Sequence, residues 1–464
     1  MNDMDSEGSR RSDSSRWSRW FDGIFSRHSS TGALFLVTLI FACHLVIAIA
    51  VIPPWQGPDE PQHFAFVRVL TLGPSADLDR RQSTAVEGEV VQSMARHGWW
   101  RHYGTPQPDP LPTDFSPLSN QIWRVESAPS VYYTLAAVYS RMFDVTDLLD
   151  QYYRLRWASA FLAILTLWCA WAGSDLLFGR YVATGSAALL ALNPQIAWMS
   201  TNVNPAVLVN LFGAIIWWQS ARLVTGNATL IPTVVIVSIA GLGVFTKRVA
   251  ASFVGMAGLA SLYAFKKSGL ISRQHLPRLL GVIGAVVLVV AGLARLIPEE
   301  LIRLREHWSY ILRFSVSDQA RSLEFFTHFT TTLFDSAWLW VGWLSYPAPL
   351  FWLLTLRVLT LAAIVGLVVL VFKNRFWRRA IAIAGSLVSV QIIAIYGGIF
   401  LNGYGPQGHY LFPVMAPWMT MLWIGLHGWW PHNLWPVVGT VILATLSILD
   451  IVAWSVVIVP AYLS

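Results

Sequence analysis

The sequence predicts an all-α fold, a polytopic transmembrane helical bundle of about eleven spans. Three observations carry that prediction. Hydrophobic residues make up 55% of the 464 positions and charged residues only 12%. Apolar runs recur at 33–52, 157–178, 182–200, 205–221, 229–245, 249–265, 279–297, 349–372, 380–400, 411–429 and 434–457. Most of them reach the roughly 17–25 residues that a helix needs to cross a bilayer core. The 24 tryptophans, many near the ends of these runs, suit anchoring at the membrane–water interfaces. Within lipid the backbone must satisfy its own hydrogen bonds, so the runs read as helices.

Taken in order, residues 1–32 read as a disordered, basic cytoplasmic tail carrying Arg10, Arg11, Arg16, Arg19 and Arg27, and residues 33–464 as the membrane domain. No secretory cleavage pattern precedes the first run. That run ends at "PPWQGPDEPQHF" (53–64), where Gly57 and Pro58 close it. Pro61 suits the first position of a helix running to about Leu72, ended by Gly73-Pro74. Phe64, Phe66, Val67, Leu70 and Leu72 make this helix apolar enough to lie along the membrane surface. "PSVYYTLAAVYSRMF" (129–143) is short for a span and reads as a helix on, or dipping into, the outer face. Further on, Asn202 and Asn204 leave the third run, and Lys247 and Arg248 in "GVFTKRVAASF" interrupt a hydrophobic hairpin. Gln407, His409 and Tyr410 in "NGYGPQGHYLFP" precede the tenth run.

Charge placement sets the expected sidedness. If the first span leaves the cytoplasm, Arg180, Arg222, Lys266, Lys267, Arg273, Arg278, Lys373, Arg375, Arg378 and Arg379 all fall inside. Counting 129–143 as a span would turn both basic clusters outward. Two large extracytoplasmic loops result, about 54–156 and 298–348, the second containing Glu299, Glu300, Glu306, Asp318 and Glu324. The net charge of +7 is thus a topology signal, and with no soluble basic module nucleic acid is excluded as a partner. Cys43 and Cys169 lie within runs, lack metal-type spacing and read as free apolar residues.

All the polar groups above then share the outer face. Asp59 and Glu60 stand together at a helix start, with His63 one turn on. An N-cap needs one acid, so the second acid and the imidazole keep a general acid–base reading open beside the simple capping one. Lys247 and Arg248 suit a lipid-linked phosphate or pyrophosphate; the plainer alternative is an anchor to membrane lipid headgroups. "GYGPQGHY" alone could be a Gly/Pro turn.

The order of these motifs resembles the GT-C superfamily of integral-membrane glycosyltransferases. The segments concerned are the acidic "PDE" after the first span, "APSVYYTLAAVYSRMF", "RLRWASAFLAILTL", "NVNPAVLVNLFGA" and "GVFTKRVAASF". The chain is similar in particular to a bacterial subgroup with an early P-D-E-P-x-H-F and a late Q-G-R-Y-L-x-P, over most of residues 33–425. The resemblance implies a multi-pass protein of the cytoplasmic (inner) membrane. It would be a hexosyl- or pentosyltransferase that moves a sugar from a polyprenyl-phosphate donor to an extracytoplasmic acceptor, an envelope glycan or lipid. It implies Asp59 as the catalytic acid of the first outer loop, with Glu60 adjoining it, and Lys247 as the cation on the carrier phosphate. His63, Asn202, Asn204, Arg248, Gln407, His409 and Tyr410 complete the candidate substrate-binding set.

Two departures from the subgroup matter. Asn204 stands where many relatives carry a second acid, so a divalent metal stays open with little support, since hard cations prefer carboxylates. No other cofactor is implied. His409 stands where the subgroup favours Arg, so phosphate binding there is expected to depend on pH. The chemistry needs only a base for the acceptor hydroxyl and a cation for the departing phosphate. A retaining mechanism needs two carboxylates about 5 Å apart across a gap, which adjacent residues before a proline do not provide. The rival readings are a transporter or flippase of lipid-linked saccharides, against which the scarcity of mid-span charge and of repeats speaks, and a non-catalytic scaffold of an envelope polysaccharide complex.

Overall fold

The computed structural model describes residues 27–73, 80–119, 122, 130–143, 147–226, 229–268, 323–342, 344–373, 375–402 and 406–463. The predicted tail up to residue 26, the predicted span 279–297 and most of the loop predicted from 298 lie outside the described residues. Seventeen α-helical stretches are described: α1 Arg27–Val51, α2 Glu60–Leu72, α3 Arg80–Arg96, α4 Trp99–Tyr103, α5 Val131–Met142, α6 Leu148–Phe178, α7 Arg180–Ala191, α8 Pro194–Met199, α9 Ala206–Thr225, α10 Leu230–Val244, α11 Ser252–Lys267, α12 Leu323–Trp338, α13 Leu350–Lys373, α14 Arg375–Asn402, α15 Met415–His427, α16 Trp435–Val452 and α17 Val459–Leu463. A π-helical turn, Ala453–Ile458, joins the last two. Two short strands, β1 Trp340–Val341 and β2 Tyr346–Pro347, pair antiparallel.

Seven of the described helical segments are long and apolar enough to cross a membrane, including Thr31–Val51, Leu148–Phe178 and His432–Leu463. On α13 the side chains of Leu350, Phe351, Leu354, Val358, Leu361 and Phe372 are exposed, as a lipid-facing helix requires. The chain is therefore a multi-pass membrane protein. Three predicted spans are shorter or interrupted. The run 182–200 breaks after Ala191, where Asn193 Oδ1 accepts the Ile196 N–H (3.0 Å) and Pro194 opens α8. The run 229–245 forms the 15-residue α10, and 411–429 begins as a 3₁₀ segment, Gly408–Val414, before α15.

The helices between the first two long spans also depart from expectation. α5 has 12 residues, too few to cross, which agrees with its non-spanning reading. α2 runs to Leu72 as predicted, but it is no surface helix. Every residue from Glu60 to Val69 is buried in protein, and Pro61 occupies the second helical position rather than the first. Arg68, buried in α2, reaches Glu89 (3.0 Å) on α3 and Gln151 (3.0 Å) on α6. Arg141 on α5 donates to the carbonyls of Leu70, Thr71 and Gly73, closing the C-terminus of α2. The tryptophans are likewise more than interfacial anchors: Trp55, Trp99, Trp198, Trp217, Trp352 and Trp423 are fully buried core residues. Cys43 and Cys169 are free thiols.

Helix α9 defines the two ends of the bundle. It starts beside Asn204 and ends near Thr225, about 30 Å away at 1.5 Å per residue. Lys267 meets the far end, where its Nζ donates to Leu223 O (2.8 Å) and Val224 O (3.1 Å).

Candidate functional site

The turn 53–60 places its two acids in opposite environments. Glu60 opens α2 and is wholly inaccessible to solvent, at 0% exposure. Its Oε2 accepts the Gly57 N–H (3.1 Å) and its Oε1 accepts the Val203 N–H (2.9 Å) from the loop before α9. The Tyr152 hydroxyl beside it accepts the Trp55 N–H (3.1 Å). Both carboxylate oxygens are thus committed to holding two loops together. The sequence-based assignment of Glu60 as a second catalytic acid does not fit a side chain so enclosed.

Asp59 precedes α2 with φ 60° and ψ 13°, in the left-handed region, and its side chain makes no capping bond. Such a backbone persists only where its surroundings hold it, and Asp tolerates it better than most residues. Its Oδ1 accepts from Gln62 Nε2 (3.0 Å), and the residue stays partly exposed. Gly57 explains the close approach of the loops. A Cβ there would stand 2.5 Å from Asn202 Cγ, so any side chain would drive the two apart.

Asn204 bridges the acidic turn to the basic one. Its Nδ2 donates to Pro58 O (3.0 Å), while its Oδ1 accepts from Ala206 N–H (2.9 Å) and from Lys247 Nζ (2.9 Å). Lys247 lies in the turn between α10 and α11, half-buried. Burial pushes its ammonium pKa down, and the charge of Asp59 partly offsets this. Arg248, next in sequence, is exposed.

His63 is buried, with Nδ1 2.6 Å from the Tyr133 hydroxyl and Nε2 lacking a partner among the described residues. Burial, then the Lys247 charge, holds its pKa well below the usual imidazole value. The same two causes push His409 down to about 3. Without an anion beside it, His409 is thus disfavoured as an imidazolium. Gln407 and Tyr410 are half-buried beside it, and Tyr410 O accepts from Gln391 Nε2 (2.7 Å). Asn202 is fully buried, its Nδ2 directed at Met199 Sδ (3.7 Å). The structure therefore brings Asp59, His63, Asn204, Lys247 and His409 into one electrostatic neighbourhood, with Arg248 at its surface.

Two features escaped the sequence reading. Arg156, early in α6 and 0% exposed, donates to Thr201 O (3.0 Å), Ile52 O (3.0 Å) and Ala48 O (3.4 Å). It closes the C-terminal carbonyls of α1, ties them to the 200–204 loop, and lies over the Tyr152 ring (5.6 Å). An arginine two residues beyond "YYR", at the head of an apolar segment, was the available signal. His44 on α1 and Asp450 on α16 form an intramembrane pair at 2.8 Å, and His44 Nδ1 lies 3.1 Å from Ala191 O. The scarcity of mid-span charge expected from sequence has this exception.

A divalent metal is the one cofactor left open by sequence. Among the described residues no group of three or more His, Cys, Asp and Glu is placed to hold one. The donor set argues the same way. Glu60 is spent on backbone N–H groups, and the Asn204 carbonyl oxygen already carries an ammonium. Hard cations want several free oxygens, and these three are already engaged.

No protein-family model matches the chain, and no curated protein matches it. Among solved structures it is similar to the apo form of the Archaeoglobus fulgidus oligosaccharyltransferase, at 13% identity and a TM-score of 0.45. The overlay takes in 94% of this chain and 56% of the archaeal one, so the chain spans little more than half its length. A likeness at that level says nothing of the reaction.

Proposed function

We propose that the protein is a membrane glycosyltransferase that moves a sugar from a polyprenyl-phosphate donor to an extracytoplasmic acceptor. The observation that carries this reading is the division of labour at 59–60: one acid is buried as a clamp, and its neighbour is left partly exposed near a half-buried lysine. Asp59 takes the proton of the acceptor hydroxyl as the new bond forms to the anomeric carbon. The bond from that carbon to the phosphate oxygen breaks, and its electron pair leaves with the carrier phosphate. Lys247 and Arg248 meet the growing negative charge, the first half-buried on Asn204 and the second exposed beside it. With one free carboxylate, a single displacement with inversion suits the geometry better than a covalent intermediate.

The sidedness belongs to the same proposal. Arg180, Lys267, Lys373, Arg375, Arg378 and Arg379 sit at helix ends remote from Asp59, so the site end faces away from the cytoplasm. The motif order supports this reading as well.

The test offers the purified protein a panel of polyprenyl-phosphate sugars and follows donor consumption. The wild type should consume at least one donor, and Asp59→Asn should not. The His44–Asp450 pair favours one second reading, a transporter, because buried ionisable pairs mark ion and substrate pathways in membranes. Movement of an intact donor across vesicles without consumption would select it.

A further inference from the structure

A departing phosphate needs a cation beside it, and either a metal ion or a side chain can supply one. The turn around Asn204 bears on which this chain uses. The amide orientation is set by its neighbours, because Nδ2 donates to a carbonyl, Pro58 O (3.0 Å), and Oδ1 accepts an N–H from Ala206 (2.9 Å). Flipping the amide would lose both bonds. The remaining lone pair of Oδ1 receives Lys247 Nζ (2.9 Å). A carboxylate at position 204 would instead set an oxygen against the Pro58 carbonyl, with nothing between them to reconcile two acceptors. Glu60 offers no free oxygen, and Asp59 Oδ1 already accepts from Gln62. His63 and His409 both lie in the positive field of Lys247. A divalent ion drawn to Asp59 would have to sit against that same ammonium.

We propose that Lys247 Nζ, seated on Asn204 Oδ1, is the resident cation of this site, and that transfer proceeds without a divalent metal. The inference rests on the glycosyltransferase reading only for the identity of the anion that Lys247 meets. It has a constructive consequence. Exchanging Lys247→Ala together with Asn204→Asp removes the ammonium and sets a carboxylate against the Pro58 carbonyl, two acceptors that a cation would reconcile, and so should create a cation site.

Mn²⁺ titration of the full chain in zwitterionic nanodiscs, read by electron paramagnetic resonance, tests this without any turnover. Wild type and Asp59→Asn should bind Mn²⁺ identically. The folded double variant should gain a site at least about tenfold tighter than anything in the wild type, in line with the added ligand charge. A wild-type Mn²⁺ site that disappears in Asp59→Asn would overturn the proposal. So would a folded double variant that stays blind to Mn²⁺, since something other than the Lys247–Asn204 pair would then exclude the ion. Donor consumption gives a second readout. It should be unchanged by EDTA, and loss in EDTA with recovery on adding Mn²⁺ would also overturn the proposal. If the wild type consumes no donor under any condition, the glycosyltransferase reading fails, and the Mn²⁺ titration still decides this one.

Discussion

Lys247 and Lys267 bracket the same helix, α11, and meet opposite ends of α9, yet their charges serve different ends. Lys267 is exposed and donates to the backbone carbonyls of Leu223, Val224 and Gly226, where α9 runs out of intrahelical partners. Its charge is absorbed by a helix C-terminus, as basic residues there commonly are. Lys247 meets no such carbonyl row. It bonds a side-chain amide, is desolvated, and feels the charge of a partly exposed aspartate. Residue type and position at a span end do not separate the two lysines. The identity of the acceptor does. The same lesson holds within one dipeptide, where Glu60 is bound by backbone donors and Asp59 is not.

Substitutions can break this comparison. The largest effect is expected at Asp59. Asp59→Asn is nearly isosteric but cannot act as a base, so turnover should fall by about 10²-fold or more, with the thermal midpoint unchanged. Near-full transfer activity would remove Asp59 as the base and turn attention to His63.

Next comes the clamp beneath it. Arg156 is buried and donates to the carbonyls of Ile52 and Thr201, tying the end of α1 to the 200–204 loop. Arg156→Met should cost roughly 1–3 kcal/mol of stability, because the buried carbonyls of Ile52 and Thr201 lose their donor. Thermal unfolding in detergent measures it, and a loss within experimental scatter would mean that these carbonyls find other donors.

The two lysines provide the direct contrast. Lys247→Ala should raise the apparent donor KM by about tenfold, and Lys247→Arg should recover part of that, keeping charge but not shape. Lys267→Ala should leave the donor curve alone and cost at most about 1 kcal/mol of stability. Identical donor titrations for all three variants would make Lys247 an anchor like Lys267.

The smallest effect is a pH dependence confined to the site end. Unfolded imidazoles titrate near ~6.5, whereas the folded protein holds His63 well below that and His409 down to about 3. Below the unfolded value the unfolded chain takes up protons that the folded protein refuses. The stability contributed by these groups is therefore complete above about pH 6.5 and falls as pH drops from there. The thermal midpoint should decline between about pH 6.5 and 5, and His409→Gln should flatten that decline. An unchanged slope in the variant would mean that His409 is not held neutral.

How much of this was legible can be judged residue by residue. The apolar runs foretold the long spans, but the first helix ends at Val51, ahead of Pro53-Pro54, and not at the Gly57-Pro58 stop expected from sequence. The length of "PSVYYTLAAVYSRMF" marked α5 as non-spanning, since no packing can lengthen a helix of 12 residues. The placement of α2 was misjudged. An apolar helix seeks either lipid or protein, and composition cannot tell which surface covers Phe64 and Phe66. The break at Asn193-Pro194 was written locally but overlooked within a long apolar run.

What the sequence by itself determined is therefore local: where helices run, where they stop, and which charged residues stand at span ends. Only the tertiary structure decided that Glu60 is the clamp and Asp59 the exposed acid, because that choice rests on the Val203 N–H, 143 residues away in sequence. The same is true of Lys247 on Asn204, of Arg156 on the carbonyls of α1, and of His44 on Asp450. Each of these charges is placed by hydrogen-bonding groups on distant segments, and burial makes those few contacts decisive: with no water to substitute, the partner fixes what the charge can do.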